Sequence, residues 1–62
     1  MKKYKSADGL RTITITQGFS FTRVIENRIK EKLTQEISID NEKAHRLEQD
    51  LLHTGWKLLT KQ

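Results

Sequence analysis

The sequence predicts an α+β fold in one small domain over residues 1–62: a three-stranded antiparallel β-meander, a helix packed on one of its faces and a short C-terminal strand. Three observations predict it. An Asp8-Gly9 turn signal precedes a segment in which every second residue is apolar, as in a strand. After position 40 the apolar residues have the spacing of a helix, and a glycine follows where this helix should end. A chain this short buries only about 60% of its unfolded surface. We therefore expect a marginal stability that self-association would improve.

The first hairpin is predicted from Asp8-Gly9, the dipeptide typical of a two-residue type I′ turn. Residues 10–16 alternate between apolar and polar types and are rich in β-branched side chains, which favours a strand. The turn places Tyr4, Ile13 and Ile15 on one face. The predicted cross-strand partners are Ala7 with Leu10, Lys5 with Thr12, Tyr4 with Ile13 and Lys3 with Thr14.

Two loop lengths are possible for the second turn, and they differ in the sheet face on which the two phenylalanines lie. A two-residue loop at 17–18 turns Phe19 and Phe21 away from the apolar face, because a one-residue slip reverses every side chain. A three-residue loop at 16–18, with Gly18 in the left-handed conformation, pairs Ile15 with Phe19 and Ile13 with Phe21. We predict the three-residue loop, which completes a meander over residues 2–25.

Residues 26–39 fit two structures. Starting from Ile25, just before this stretch, apolar side chains recur every four residues, as in a helix, yet all lie at odd positions, as in a strand: Ile25, Ile29, Leu33 and Ile37. The composition favours a helix over 26–35, with Glu26 four residues before Lys30 and an extended piece at 37–39. The alternative is a further hairpin, and the sequence leaves both open.

The last third of the chain predicts a helix over 41–54 and a strand over 56–60. Asp40 or Asn41 can cap the helix, since both side chains accept from free N–H groups. Gly55 fits the left-handed position after the helix, which makes Leu51 and Trp56 the apolar pair of a Schellman ending. The predicted apolar face of the helix comprises Ala44, Leu47, Leu51 and Leu52.

Composition and spacing argue against several functional classes. The chain has no cysteine, so disulfides and thiolate metal sites are excluded. Apolar runs never exceed two residues, so we expect no membrane span and no signal peptide, and a cytoplasmic location. His45 and His53 lie about 12 Å apart along the predicted helix, too far for one metal ion. We predict a protein that is not an enzyme, with no cofactor, no metal and no small-molecule substrate.

The net positive charge is confined to the predicted meander. Residues 1–23 hold five basic and one acidic side chain, which sum to +4, whereas residues 24–62 hold seven of each. The predicted outward face carries ammonium and hydroxyl donors, the groups that contact phosphates. The residues predicted to bind nucleic acid are Lys3, Lys5, Arg11, Thr12, Thr14 and Arg23. Thr16, Ser20 and Thr22 are predicted to share this face.

Two details refine this prediction. The predicted register sets Arg11 opposite Arg23, a like-charge pair that an anion or a carboxylate would relieve. The outward face has no aromatic side chain, because Tyr4, Phe19 and Phe21 are assigned inward. Base stacking is therefore unsupported, and the backbone of a DNA duplex is the expected target.

Two functions fit the sequence. The first, favoured by the charge distribution, is a small non-catalytic nucleic-acid-binding or regulatory protein that contacts duplex DNA with its basic sheet face. The alternative is a protein-interaction module or small inhibitor, with a homodimer as one form. That alternative would use an exposed sheet edge or the acidic residues of the last helix, which are Asp40, Glu42, Glu48 and Asp50.

Overall fold

The computed structural model describes residues 1–61, and the side chains of residues 1–59. Over that range the chain forms five strands and one helix: β1 (Lys2–Lys5), β2 (Arg11–Gln17), β3 (Phe21–Arg28), β4 (Leu33–Asp40), α1 (Asn41–His53) and β5 (Lys57–Lys61). The strands make one antiparallel sheet in the order β4-β3-β2-β1-β5. The α+β class is as predicted, but the meander has four strands, not three, and extends beyond residue 25 to Asp40.

The β1–β2 pairing has the predicted register, with Tyr4 opposite Ile13 and Lys5 opposite Thr12. The turn type differs. Type I′ requires positive φ at both central residues, whereas here Gly9 has φ 76° and Asp8 is not in the left-handed region. The Gly9 N–H donates to the Ser6 carbonyl at 3.0 Å, so the turn spans Ser6–Gly9. The Asp8 carboxylate accepts from the Ser6 hydroxyl at 2.6 Å, which holds this turn.

The predicted β2–β3 register is wrong. Ile15 lies opposite Val24, not Phe19, and Ile13 lies opposite Glu26, not Phe21. The five-residue shift reverses β3, so that Thr22 points inward and is 1% exposed while Phe19 and Phe21 are exposed. The reason lies in a third strand: Val24 now lies between Ile15 on β2 and Ile37 on β4, so one register satisfies both neighbours of β3.

Gly18 is not in the left-handed conformation that the three-residue loop required. Its N–H donates to the Phe21 carbonyl at 2.9 Å across the hairpin. A Cβ at this position would lie 2.6 Å from that same carbonyl oxygen, far inside contact distance. Glycine is therefore needed here because of a close backbone approach.

The helix favoured over 26–35 is wrong, and the hairpin alternative is correct. β3 continues to Arg28 and turns through residues 29–32 into β4, with Lys32 at φ 53°. Eight residues of each strand pair, from Phe21 with Asp40 to Arg28 with Leu33. These long-range backbone hydrogen bonds outweigh the modest helix preference of the local composition.

We call the sheet face covered by α1 the inner face and the opposite one the outer face. The core lies between the inner face and the helix, with Ile39 and Leu47 packed at its margin. Its buried members are Tyr4, Ile13, Ile15, Val24, Leu51 and Trp56. The burial of Trp56 confirms the sequence prediction, whereas Leu52, expected on the apolar face of the helix, is 56% exposed.

Both ends of α1 follow capping chemistry. The Asp40 side chain accepts from the Lys43 N–H at 2.8 Å, so Asp40 is the N-cap. At the other end Gly55 has φ 91° and the Trp56 N–H donates to the Leu51 carbonyl at 2.9 Å, which is the long-range bond of the predicted Schellman ending. The helix has 13 residues, and no helix within residues 1–61 combines the length and apolar content of a membrane span.

Candidate nucleic-acid interface

The outer face is a five-stranded surface, and no helix within the described part of the chain covers it. Three cross-strand rows of side chains follow from the pairing of the strands. The first row holds Lys57, Lys5, Thr12, Asn27 and Thr34, the second holds Lys3, Thr14, Ile25 and Glu36, and the third holds Thr16, Arg23 and Ser38. Five of the six predicted site residues lie on this face, since only Arg11 is missing from it.

The positive charge of the outer face concentrates on β1 and β5. Lys5 lies opposite Lys57 in the ladder, and Lys3 is two residues from Lys5 along β1. Directly opposite side chains have Cβ atoms about 5 Å apart, and like charges at that spacing destabilise a sheet. Among the described side chains, none of the three lysines has an ion-pair partner. Binding a polyanion would relieve their mutual repulsion.

Sequence reasoning missed Lys57. Its place beside Lys5 depends on β5 joining the edge of β1, a contact between residues more than fifty positions apart. The signal available in the sequence was the alternation of the last strand, which puts Lys57 on the side opposite Trp56 and Leu58. That alternation could not say which strand β5 would neighbour.

Arg23 lies on the outer face but is already engaged. Its Nε is 2.8 Å from Glu36 Oε1 on β4, and both side chains are largely exposed. It also lies two strands away from Lys3, about 10 Å across the sheet. Arg23 is therefore a peripheral member of the site, with its charge compensated in the free chain.

The predicted pair of Arg11 with Arg23 is wrong, because the register shift places Arg28 opposite Arg11. A carboxylate does lie between the two arginines, since Glu26 Oε2 is 3.8 Å from Arg11 and 3.5 Å from Arg28. The Arg11 guanidinium also lies 5.1 Å from the centre of the Trp56 ring, in a cation–π contact. Arg11 thus supports the core at the inner face and is separated from the lysines.

Aromatic side chains do reach the outside, contrary to the sequence prediction. Phe19 is fully exposed at the tip of the β2–β3 hairpin, and Phe21 is exposed on the outer face. The tip is held in place by Asn41, whose Nδ2 donates to the carbonyls of Gly18 and Phe19 at 3.4 and 3.2 Å. The buried Thr22 hydroxyl donates in turn to Asn41 Oδ1 at 2.7 Å. The structure therefore presents Phe19 on an anchored loop.

The acidic residues of α1 are mostly engaged within the chain. Asp40 caps the helix, and Glu42 pairs with Arg46 at 3.9 Å. Glu48 accepts from the Tyr4 hydroxyl at 2.8 Å and pairs with Lys2 at 3.1 Å. Glu42 stays largely exposed in its ion pair and Asp50 is exposed, so part of the acidic surface that the alternative function would use remains accessible.

The described side chains include no group of three metal-ligating residues. His45 contacts Gln49 at 3.3 Å, two turns from His53 on the same helix. One surface cavity, of about 270 Å³, is lined by the charged side chains Asp8, Arg11, Arg28, Lys30 and Glu31 together with Leu10.

Comparison with protein families, with curated proteins and with solved structures gives no significant match. The fold and the outer face thus define a class by their own geometry: a small α+β protein whose antiparallel sheet leaves one basic, hydroxyl-rich face uncovered.

Proposed function

We propose that this chain is a small, non-catalytic, cytoplasmic nucleic-acid-binding protein that contacts the phosphate backbone of duplex DNA with its outer face. One observation carries the proposal: Lys3, Lys5 and Lys57 lie together without carboxylate partners among the described side chains. Ammonium groups that neutralise phosphates release counterions, and this release drives sequence-independent binding.

The neighbouring threonines suit the same ligand. Thr12 and Thr14 on β2 lie directly opposite Lys5 and Lys3, so hydroxyl donors adjoin the ammonium groups on the outer face. Hydroxyl and ammonium groups position a protein on the DNA backbone but carry little sequence information. We therefore expect binding with weak sequence preference.

The test is a salt titration of binding to a mixed-sequence duplex. Three phosphate contacts give a log–log slope of about −2.7. In Lys3→Glu/Lys5→Glu the slope should collapse along with the affinity. A matched control is Lys30→Glu/Lys43→Glu, whose lysines are exposed on the β3–β4 turn and on α1. Each change lowers the charge by two, so both variants fall from +4 to 0.

The control variant should bind more weakly only because its lower net charge reduces the long-range attraction to DNA, and its log–log salt slope should be unchanged. If both variants lose slope and affinity equally, binding reflects net charge and the proposed face is wrong. Absence of binding by the unmodified chain at low salt, with protein at hundreds of micromolar, would reject the function itself.

The anchored Phe19 favours a second candidate, a protein-interaction module. An exposed aromatic on a preorganised loop is typical of a residue that contributes much of the energy of a protein interface. Phe19→Ala should leave the salt slope on DNA unchanged if the lysines alone bind the backbone. Loss of DNA binding in Phe19→Ala, with binding kept in the lysine variant, would move the nucleic-acid site to the hairpin tip.

A further inference from the structure

The strand β4 is an open edge of the sheet along its whole length. It pairs with β3 on one side, and no strand formed by residues 1–61 pairs with its eight residues Leu33–Asp40 on the other. Alternate N–H and C=O groups of an edge strand point outward and can pair with another chain. Its only charged residues are Glu36, which is compensated by Arg23, and Asp40, which caps α1.

The two edges of the sheet differ in how they are protected. β5 has five residues and includes Lys57, and lysine on a short edge strand opposes pairing with other chains. β4 is longer and has neither lysine nor proline. This asymmetry marks β4 as the edge suited to association.

Beside this edge, the inner face is incompletely covered by α1. Ile37 is 55% exposed, and it borders an apolar groove of about 160 Å³ that reaches Ile13, Val24 and Leu47. Leu33, on the same strand and face, is also exposed. A strand paired with β4 would cover the side of Ile37 that faces away from β3.

We propose that two copies of the chain associate through antiparallel pairing of β4 with β4, with Ile37 on the two-fold axis. In this register Ile37 lies opposite its own copy, and the seven residues 34–40 pair with the same seven of the partner. Glu36 then lies opposite Ser38, which avoids juxtaposing like charges.

Other symmetric registers are less favourable. Centring the pair on Glu36 sets that carboxylate against its own copy, and centring it on Ser38 sets Glu36 against Asp40. Centring it on Gln35 avoids repulsion but pairs only residues 33–37. The register on Ile37 therefore combines the longest ladder with compatible charges, and its closed symmetry limits assembly to a dimer. The proposal is independent of the proposed function, because it uses no residue of the lysine cluster.

Cysteine cross-linking tests the register directly, since the chain has no cysteine of its own. Residues opposite each other in an antiparallel pair have Cα atoms about 4.5–5.5 Å apart, within the range of a disulfide. Ile37→Cys should form a covalent dimer under mild oxidation, about tenfold or more faster than Leu52→Cys. Leu52 is a matched control, because it is 56% exposed against 55% for Ile37 but lies on α1.

Analytical ultracentrifugation of the unmodified chain should show a monomer–dimer equilibrium, and Ile37→Lys should be monomeric with an unchanged circular dichroism spectrum. A strictly monomeric chain at hundreds of micromolar would overturn the proposal. Equal cross-linking of the two cysteine variants, or cross-linking of Gln35→Cys in place of Ile37→Cys, would also overturn it. Assembly beyond dimers would indicate β4 pairing with β5 of another copy and would reject the two-fold arrangement.

Discussion

Tyr4 shows how one residue connects the sheet to the helix. Its ring is 2% exposed in the core, and its hydroxyl donates to Glu48 Oε1 on α1 at 2.8 Å. Burial, then the hydrogen bond to Glu48 and the charge of that carboxylate, raise the pKa of Tyr4 from 10.0 to about 12. All three effects favour the neutral phenol in the folded chain.

This pKa shift predicts a dependence of stability on alkaline pH. The folded chain holds the phenol proton more tightly than the unfolded chain, so the stabilisation is complete below pH 10 and is lost as the pH rises from 10.0 towards about 12. Tyr4 is the only tyrosine, so its phenolate absorbance can be followed directly. In Tyr4→Phe the contribution of this group to the alkaline loss of stability should vanish. If the phenolate absorbance of the folded protein had its titration midpoint near pH 10, the prediction would be contradicted.

At the scale of the element, the β2–β3 hairpin depends on the close approach at Gly18. Gly18→Ala should lower the free energy of unfolding by roughly 1 kcal/mol or more, because a Cβ 2.6 Å from the Phe21 carbonyl forces the hairpin to shift. Chemical denaturation measures the loss. Ser20→Ala, in the same exposed turn, serves as the control with little expected change. Equal stability of Gly18→Ala and the unmodified chain would show that the turn has another geometry.

The β4 strand illustrates a conflict between local and long-range preferences. Residues 26–35 are rich in good helix formers, yet they continue β3 and begin β4. An isolated helix of ten residues is marginal in water, whereas the hairpin pairs eight residues of each strand and completes the second side of β3. Pairing with the rest of the sheet therefore determines that these residues form strands and not a helix.

At the scale of the whole molecule, a small core has to stabilise a five-stranded sheet. In a chain of 62 residues a single core rarely supplies more than about 3–5 kcal/mol of stability, and removing a buried tryptophan side chain typically costs about 3–5 kcal/mol. Trp56→Ala should therefore be largely unfolded at room temperature by circular dichroism, while Trp56→Phe should stay folded. Retention of a cooperative transition in Trp56→Ala would contradict this. Blue-shifted emission from the single tryptophan would support its burial without mutation.

The division of the molecule into two faces links stability and function. α1 covers most of the apolar inner face, whereas the outer face carries mainly charged and hydroxyl side chains, together with Ile25 and Phe21. The lysines concentrate at one edge, and the open β4 strand lies at the other. The two proposals thus concern separate surfaces, and each can fail without the other.

The sequence by itself determined the features that depend on neighbouring residues. The β1–β2 register is as the Asp8-Gly9 signal predicted, although the turn itself spans Ser6–Gly9, and the Schellman ending follows from Gly55 between Leu51 and Trp56. The placement of Lys3 and Lys5 on one face with Thr12 and Thr14 follows from the same short hairpin. In each case the interacting groups lie within about a dozen positions, so local geometry is sufficient.

Only the tertiary structure decided the remaining features. The orientation of Phe19 and Phe21, and the removal of Arg11 from the site, depend on a β2–β3 register that β4 selects by setting Ile37 beside Val24. The third lysine, Lys57, joins the site because β5 pairs with β1 at the far end of the chain. Alternation along a strand shows which side chains share a face, but it carries no information about which strands become neighbours. That choice is a competition between pairings over the whole chain, and it is settled by the packing and backbone hydrogen bonds of the complete sheet.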